Sequence, residues 1–363
     1  MNEQKPLSSP LQEGETIGIL GGGQLGRMLA QAAKQLDLKT HIYSNERNAP
    51  AFQIADASTY GAYDNVQALD TFARRCAVVT FEFENVPNAT AQLLSRKVPV
   101  APSPRALEIA QDRLLEKSFV ANLGIPTAPF CDVTSESRAR EAFRTLGAPA
   151  ILKTRKLGYD GKGQAMVRSE DEIVRAFSEI GAVPAILEDF VEFSYEASLV
   201  AARGRDGSFA AFDPPINEHE NHILRRSTVP SPLSDDSVAE AGQIARRIAD
   251  ALDYVGVLGV ELFVGYDGKL AVNEIAPRVH NSGHWTIEAC ATSQFEQHLR
   301  AVAGWPLGDP TRHSDAVMEN IIGSEVEPWL KKEGKTEGLH LYGKGEPREG
   351  RKMGHVTRTT PKA

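Results

Sequence analysis

The sequence predicts two differently built halves, an open α/β sheet of parallel strands followed by an α+β region of hairpins with interposed helices. Three observations carry this reading. Short apolar runs alternate with helix-spaced segments over about the first 100 residues. Pro99, Pro102 and Pro104 then break the alternation. Beyond them the turn signals mostly fall between one strand-like run and the next.

Thr16–Leu20 is a short apolar run suited to a buried parallel strand. It enters the glycine run Gly21 to Gly26, and Arg27 to Leu36 then has helical spacing. Lys39–Tyr43 and Ala77–Phe81 read as further strands. Arg105 to Asn122 reads as one helix, ended by Gly124-Ile-Pro126. Ala150–Lys153 is a strand, Gly158 to Gln164 a loop and Ala165–Val167 a strand, and Ala185–Phe190 is strand-like again. Ala197–Ala202 turns at Asp206-Gly207 and returns through Phe209 to Phe212. From about Asp236 to Leu252, residues Val238, Ala241, Ala245, Ile248 and Leu252 share one helical face. Val257–Val264 and Leu270–Ile275 flank the turn Tyr266 to Lys269, where Asp267-Gly268 is a hairpin signal.

The chain has 363 residues, enough for two or three domains with cores that need no staple. Forty basic against 48 acidic residues give a net charge of −8, which argues against sequence-wide nucleic-acid binding. Cys76, Cys131 and Cys290 are too few and too scattered for a disulfide framework or a zinc cluster. With no apolar run of membrane length and a polar start from Met1 to Glu15, a cytoplasmic location and no membrane partner are expected.

Four constellations carry chemistry. Gly21, Gly23 and Gly26 fit G-x-G-x-x-G between a strand and a helix, with Glu46 about 20 residues on, so a nicotinamide oxidoreductase is one reading. The same turn also binds other phosphorylated ligands, or packs a helix close to a strand. Gly158, Gly161 and Gly163 lie between two strands, so this loop is not a Walker motif. With Lys162 at its tip and Lys153 on the preceding strand, it can fold over a triphosphate, or it is a solvated loop.

The third constellation comes from pairing. A turn centred between Asp267 and Gly268 sets Glu261 opposite Glu274, beside Phe263, Leu270 and Val272. Opposed carboxylates on an apolar face call for a hard divalent cation, unless that end of the sheet is wet or a bulge parts them. Asn273 adds an oxygen if the strand end bends, and Arg278 and His280 alternate just beyond, a fork for a small oxyanion and a proton-handling group. His280 and His284 lack a third soft ligand nearby for zinc. Fourth, Lys344 to Ala363 holds six basic and two acidic residues, either a solvated tail or a clamp for one anion.

Together, Gly21–Met28, Gly158–Gln164, Asn273–Trp285 and Gly350–His355 resemble the ATP-grasp superfamily, and within it the 5-(carboxyamino)imidazole ribonucleotide synthetases of purine biosynthesis. The resemblance runs from about Thr16 to Arg358, with the motifs in order. It implies an N-terminal α/β domain over residues 1–112, a small lid over 113–196, and a C-terminal antiparallel-sheet domain with a basic clamp over 197–363. The implied reaction takes ATP, bicarbonate and 5-aminoimidazole ribonucleotide, through carboxyphosphate, to the N-carboxylated ribonucleotide, with Mg²⁺ or in its place Mn²⁺.

By the same resemblance, Glu261 and Glu274 hold the metal. ATP falls to Arg113, Lys153, Gly158, Tyr159, Asp160, Gly161, Lys162, Gly163, Gln164, Glu188, Asp189, Phe190, Val191, Glu196, His219, Asn273 and Glu274, with Glu188 to Val191 as a strand edge that reads adenine. Arg278, His280 and Lys352 are the implied catalytic residues. Gly23, Gln24, Leu25, Tyr159, Asp160, Lys344, Arg351 and Lys352 are the implied ribonucleotide contacts. A homodimer is implied too. The chain stops at Ala363 where relatives run on, so a closing helix is expected to be missing, and the lead-in before Thr16 receives no role. The alternatives are a sister ATP-grasp ligase, such as formate-dependent glycinamide ribonucleotide transformylase, and the oxidoreductase. The stretch His280 to Trp285 argues against the first.

Overall fold

Three sheets organise the chain in a computed structural model that describes residues 5–156, 158, 163–331 and 337–362. The first is parallel, from β1 (Thr16–Leu20), β2 (Lys39–Ser44), β3 (Ala57–Tyr60) and β4 (Val78–Phe81), in the order β3-β2-β1-β4. Alternation sends Ile17, Ile19 and Ile42 to one face, against Leu25, Met28, Leu29, Ala32 and Ala33 of the helix Gln24–Gln35. Leu20, Tyr43, Val79 and Phe81 bury on the other face against Leu69, Phe72 and Leu94. Each such aliphatic side chain contributes about 1.5–3 kcal/mol on burial. The strand order reverses between β1 and β4, and their carboxyl ends deliver the Gly21–Gly26 turn and Glu82–Glu84 to one crevice.

The expected helix from Arg105 to Asn122 is two helices, Pro104–Ala110 and Arg113–Asn122. Asp112 breaks it by capping the second, accepting from the N–H groups of Leu114 and Leu115. Arg155 pairs with the same carboxylate at 2.8 Å. The break turns Arg113, Glu116 and Lys117 inward.

A small antiparallel sheet follows, from β5 (Phe130–Val133), β6 (Ala150–Thr154), β7 (Gln164–Val167) and β8 (Ala185–Asp189), in the order β5-β8-β6-β7. Helices Glu136–Leu146 and Glu170–Glu179 cover one face of it. The third sheet has nine strands: β9 (Tyr195–Arg203), β10 (Phe209–Ala211), β11 (Ile216–Glu220), β12 (Ile223–Val229), β13 (Gly256–Val264), β14 (Leu270–Ala276), β15 (Ser314–Ile322), β16 (Leu339–Leu341) and β17 (Lys352–Pro361). Its path runs β14-β13-β9-β11-β12-β15-β17-β16, with β10 on β9. The helix Asp235–Ala251 packs Ala241, Ala245 and Ile248 under this sheet. The basic C-terminal stretch is therefore no tail, because half of it is β17, paired with β15 along its length and with β16 from Gly354 to Val356. Among the described residues no helix is long and apolar enough to cross a membrane.

Candidate active site

The β13–β14 hairpin brings Glu261 opposite Glu274 by a route different from the expected one. Its turn closes through the Gly265 N–H to the Lys269 carbonyl, with Gly268 at φ 79°, so the loop is Tyr266-Asp267-Gly268. Next to the turn Leu262 therefore pairs with Val272 and Phe263 with Ala271, one step off the expected register. A bulge then restores it at the glutamates. Asn273 is the extra residue, and its Nδ2 approaches Glu261 Oε2 at 3.5 Å. The bulge also corrects the surroundings: Leu270 and Val272 join Leu262 and Val264 in the core on the opposite face, and only Phe263 shares the glutamates' side.

Burial raises the Glu274 carboxyl, and the charge of Glu261 adds to this. Glu116, whose Oε1 accepts the Ile275 N–H at 2.5 Å, is pushed up to about 8 by burial and then by Glu274. Burial also opposes ionisation of Glu261, but the His280 Nε2 at 3.2 Å outweighs it and holds this carboxyl at about 2. Arg113 reaches Glu274 Oε2 at 3.4 Å and donates to the Gly158 carbonyl at 3.3 Å. Glu261 and Glu274 thus face each other across the hairpin, with burial opposing the charge of both, and this paired carboxylate set is one that a hard divalent cation fits.

His280 is held from behind by a buried chain of hydrogen bonds. Asn217 Nδ2 donates to Ser198 Oγ at 2.9 Å, Ser198 and Ser282 hydroxyls lie 2.6 Å apart, and Ser282 Oγ lies 2.8 Å from His280 Nδ1. Followed from the amide donor, each hydroxyl donates onward, so Nδ1 accepts and the Nε2 proton faces Glu261. Gln294 clamps the His280 backbone, accepting its N–H at 2.8 Å and donating to its carbonyl at 2.7 Å. Gly259 underlies the ring, where a Cβ would sit 2.8 Å from His280 Cβ. Gly259→Ala is expected to cost about 1–3 kcal/mol in urea unfolding and to lower turnover, since His280 must move. Arg278 pairs with Glu84 and donates to the Val279 carbonyl at 3.1 Å. Burial opposes the Glu84 charge, yet Arg278 holds it at about 2.

Lys153 Nζ meets Glu188 Oε2 at 2.9 Å, and Lys117 Nζ, 1% exposed as a side chain, lies 3.5 Å from the same oxygen. Strand β8 lies between β5 and β6, so Glu188 is paired on both sides, whereas Phe190 and Val191 lie past the end of the strand. The Asp189 and Phe190 N–H groups already bond Pro129 and Pro149 carbonyls. His219 Nδ1 meets Glu196 Oε2 at 2.5 Å. Burial opposes the His219 charge, but that bond and the charge of Glu196 raise its pKa above the ordinary value. Phe263 stacks on Phe193 at 4.7 Å beside them. Gly163 turns at φ 70° and Gln164 reaches His222 at 3.4 Å. Tyr159, Asp160, Gly161 and Lys162 lie outside the described residues.

At the first glycine run, Glu82 accepts the N–H groups of Gly23 at 2.6 Å and Gly26 at 2.9 Å. A carboxylate of the chain itself fills the place a dinucleotide pyrophosphate would take, so the oxidoreductase reading fails on geometry. Leu25 is buried in the core, whereas Gln24 is partly open. Gly343 joins this region to the basic loop, its carbonyl accepting from Gln53, which also holds Arg27. Lys344 donates to the Lys352 carbonyl at 2.7 Å and Arg351 to the Glu346 carbonyl at 3.3 Å. Burial and then Arg351 lower the Lys344 pKa to about 8. Glu82, Glu84, Glu116 and Lys117 were not expected; the alternation Phe81-Glu82-Phe83-Glu84 at the end of a strand was the one signal for the first two, and Glu116 and Lys117 had none.

A small antiparallel sheet beside a large one, with paired acids and convergent cations between them, defines the ATP-grasp class of ligases. Family profiles agree: an ATP-grasp domain matches residues 118–295, a ribonucleotide synthetase preATP-grasp domain 14–111, and a phosphoribosylaminoimidazole carboxylase C-terminal domain 316–363. The chain is 52% identical over 356 residues to the N5-carboxyaminoimidazole ribonucleotide synthase of Brucella melitensis, covering 97% of this chain and 98% of that one. A solved ADP complex of an N5-carboxyaminoimidazole ribonucleotide synthetase superposes with TM-score 0.93 at 39% identity, covering 97% and 94%. The Aspergillus clavatus N5-carboxyaminoimidazole synthase, in complex with ADP and 5-aminoimidazole ribonucleotide, gives 0.88 at 31%, covering 96% and 94%. The chain belongs to the N5-carboxyaminoimidazole ribonucleotide synthase family of ATP-grasp enzymes.

Proposed function

We infer that the chain carries out the ATP-dependent carboxylation of 5-aminoimidazole ribonucleotide to its N5-carboxy derivative in purine biosynthesis, taking bicarbonate as the carbon source. The observation that supports the residue assignment is a run of charges in which each feels the next: Glu274 feels Glu261 and His280, Arg278 feels Glu274 and Glu82, and Lys344 feels Arg351, Glu82 and Lys352. Arg113, Lys153, Gly158, Gly163 and Gln164 line the triphosphate side. Glu196 and His219 are suited to the ribose, with Phe263 and the backbone from Val191 onward toward the base. Mg²⁺ held by Glu261 and Glu274, with Asn273 alongside, supplies charge neutralisation at the transferred phosphoryl group.

Arg278 presents a planar fork to bicarbonate, and His280 donates its Nε2 proton to an oxyanion that displaces Glu261 from it. A bicarbonate oxygen attacks the γ-phosphorus and ADP leaves. Carboxyphosphate then splits at its C–O bond to CO₂ and phosphate, and the amino nitrogen bonds the CO₂ carbon as it loses a proton. Gln24 and Leu25 backbone, with Lys344, Arg351 and Lys352, bind the ribonucleotide and its phosphate, while the Gly23 N–H is held by Glu82. The test is bicarbonate labelled with ¹⁸O. One label per turnover is expected in the released phosphate, and unlabelled phosphate overturns the carboxyphosphate route.

A pH dependence follows from Lys344. Its pKa of about 8 makes it cationic below and neutral above that pH. The protonated form is the one that binds a phosphate dianion, so KM for the ribonucleotide is expected to rise as pH passes about 8, with KM for ATP unaffected. Lys344→Arg, which stays charged, is expected to flatten that rise in a steady-state pH profile.

A further inference from the structure

Outside this cleft, three side chains from distant parts of the chain converge at the far side of the large sheet. His340 of β16 and His355 of β17 are direct cross-strand partners, with rings 4.7 Å apart and 12° from parallel. Glu288, on the short helix Thr286–Ala289, reaches His340 Nε2 with Oε1 at 2.6 Å. Its other oxygen, Oε2, is buried with no hydrogen-bond partner, and so is His355 Nε2 on a fully buried ring. One ligand atom from each of the three residues lies within 4.8 Å of the other two. Native folds rarely leave two such atoms unsatisfied side by side.

We propose that Glu288, His340 and His355 bind one zinc-class divalent ion, with water in the open fourth position. The two-nitrogen, one-oxygen donor set is borderline-soft and suits Zn²⁺, whereas Mg²⁺ takes oxygen ligands and belongs with Glu261 and Glu274. The outer contacts fit as well. Tyr342 Oη lies 2.9 Å from His355 Nδ1 and can accept Nδ1–H when Nε2 binds the ion, an outer contact of the kind metal-ligating histidines make. His284, whose ring is 4.8 Å from that of His355, is set apart because its Nδ1 meets Gln294 Nε2 at 3.1 Å. Binding requires the ligand atoms to close to about 3.3 Å from one another, the separation that Zn–N bonds of about 2.0–2.1 Å impose in a tetrahedron. Small side-chain rotations supply that. The sequence reading weighed zinc only at the His280–His284 stretch; the partners here are 52 and 67 residues from Glu288, and no spacing motif links them.

The test uses the full chain, stripped with chelator and kept in saturating Mg²⁺ so that the acidic pair is covered. Titration with Co²⁺ is expected to give the visible ligand-field bands of a tetrahedral site at one ion per chain, and Zn²⁺ is expected to displace it. His340→Asn and Glu288→Gln, both at partly exposed positions, are expected to weaken binding by more than the roughly 10–100-fold that an outer-shell change costs, with unaltered circular dichroism. Glu274→Gln is expected to leave binding intact. The proposal is overturned if the folded chain gives no tetrahedral cobalt spectrum, if both ligand variants bind as the parent does, or if Glu274→Gln alone removes the ion.

Discussion

Glu274→Gln is expected to lower ATP turnover by about 10³-fold or more, while the metal-free protein becomes more stable. The two effects share one cause. Burial and Glu261 raise the Glu274 carboxyl, so without a bound metal its ionised form is a net repulsive element despite Arg113 at 3.4 Å. A carboxyl whose folded pKa lies above its unfolded value destabilises the fold once pH exceeds the unfolded value, and fully so above the folded one. Glu116 follows the same sign, and its penalty develops between about 4.5 and 8. Replacing Glu274 with a neutral isostere removes that repulsion along with a metal ligand. Thermal melts at pH 8 without Mg²⁺ check the first half and ADP release the second. The parent is expected to gain stability on Mg²⁺ addition, and the variant to gain much less.

Arg278→Gln is expected to have the opposite balance and to cost both activity and stability. Removing the guanidinium leaves Glu84, now held at about 2 by that partner, as an unpaired acid beside Glu82 and Glu274. Breaking one side of such a pair costs about 3–5 kcal/mol where burial is complete, and the lower end applies here because Glu84 keeps some exposure. The double variant Glu84→Gln, Arg278→Gln is expected to recover most of the stability and none of the turnover. Urea unfolding of the four-member cycle, read alongside turnover, separates the structural pair from the catalytic fork. If the double variant regains activity, Arg278 serves only Glu84.

Much of the fold was legible in local pattern. The β1 run, the helix after the first glycines and the helix face Val238 to Leu252 follow from period and burial, because each element must hide an apolar stripe. The Glu261–Glu274 pairing was legible as well, but by compensation. The turn is centred on Asp267, one position off in register, and the bulge at Asn273 returns it. No local rule fixes a bulge. The split at Asp112 was missed because the apolar period runs across it, and the cap becomes visible only once Arg155 is seen to pair with the same carboxylate. The C-terminal antiparallel sheet was expected from the family resemblance, but its nine-strand order was not legible, because pairings such as β15 with β17 join residues far apart in sequence.

The site divides in the same way. Motif residues such as Lys153, Arg278 and His280 declare themselves by type and spacing. Glu82, Glu116, Lys117 and the Ser198–Asn217–Ser282 chain do not, since their value lies in what they touch across the fold. The dinucleotide reading of the first glycine run was sound chemistry for an open helix N-terminus. It fails because Glu82 sits there, which no spacing rule announces.

The most direct measurement is ADP release from Mg-ATP and bicarbonate, with and without 5-aminoimidazole ribonucleotide. Turnover that requires all three, and that falls away in Glu274→Gln, is the predicted result. ADP release that is indifferent to the ribonucleotide, or undiminished in that variant, contradicts the account.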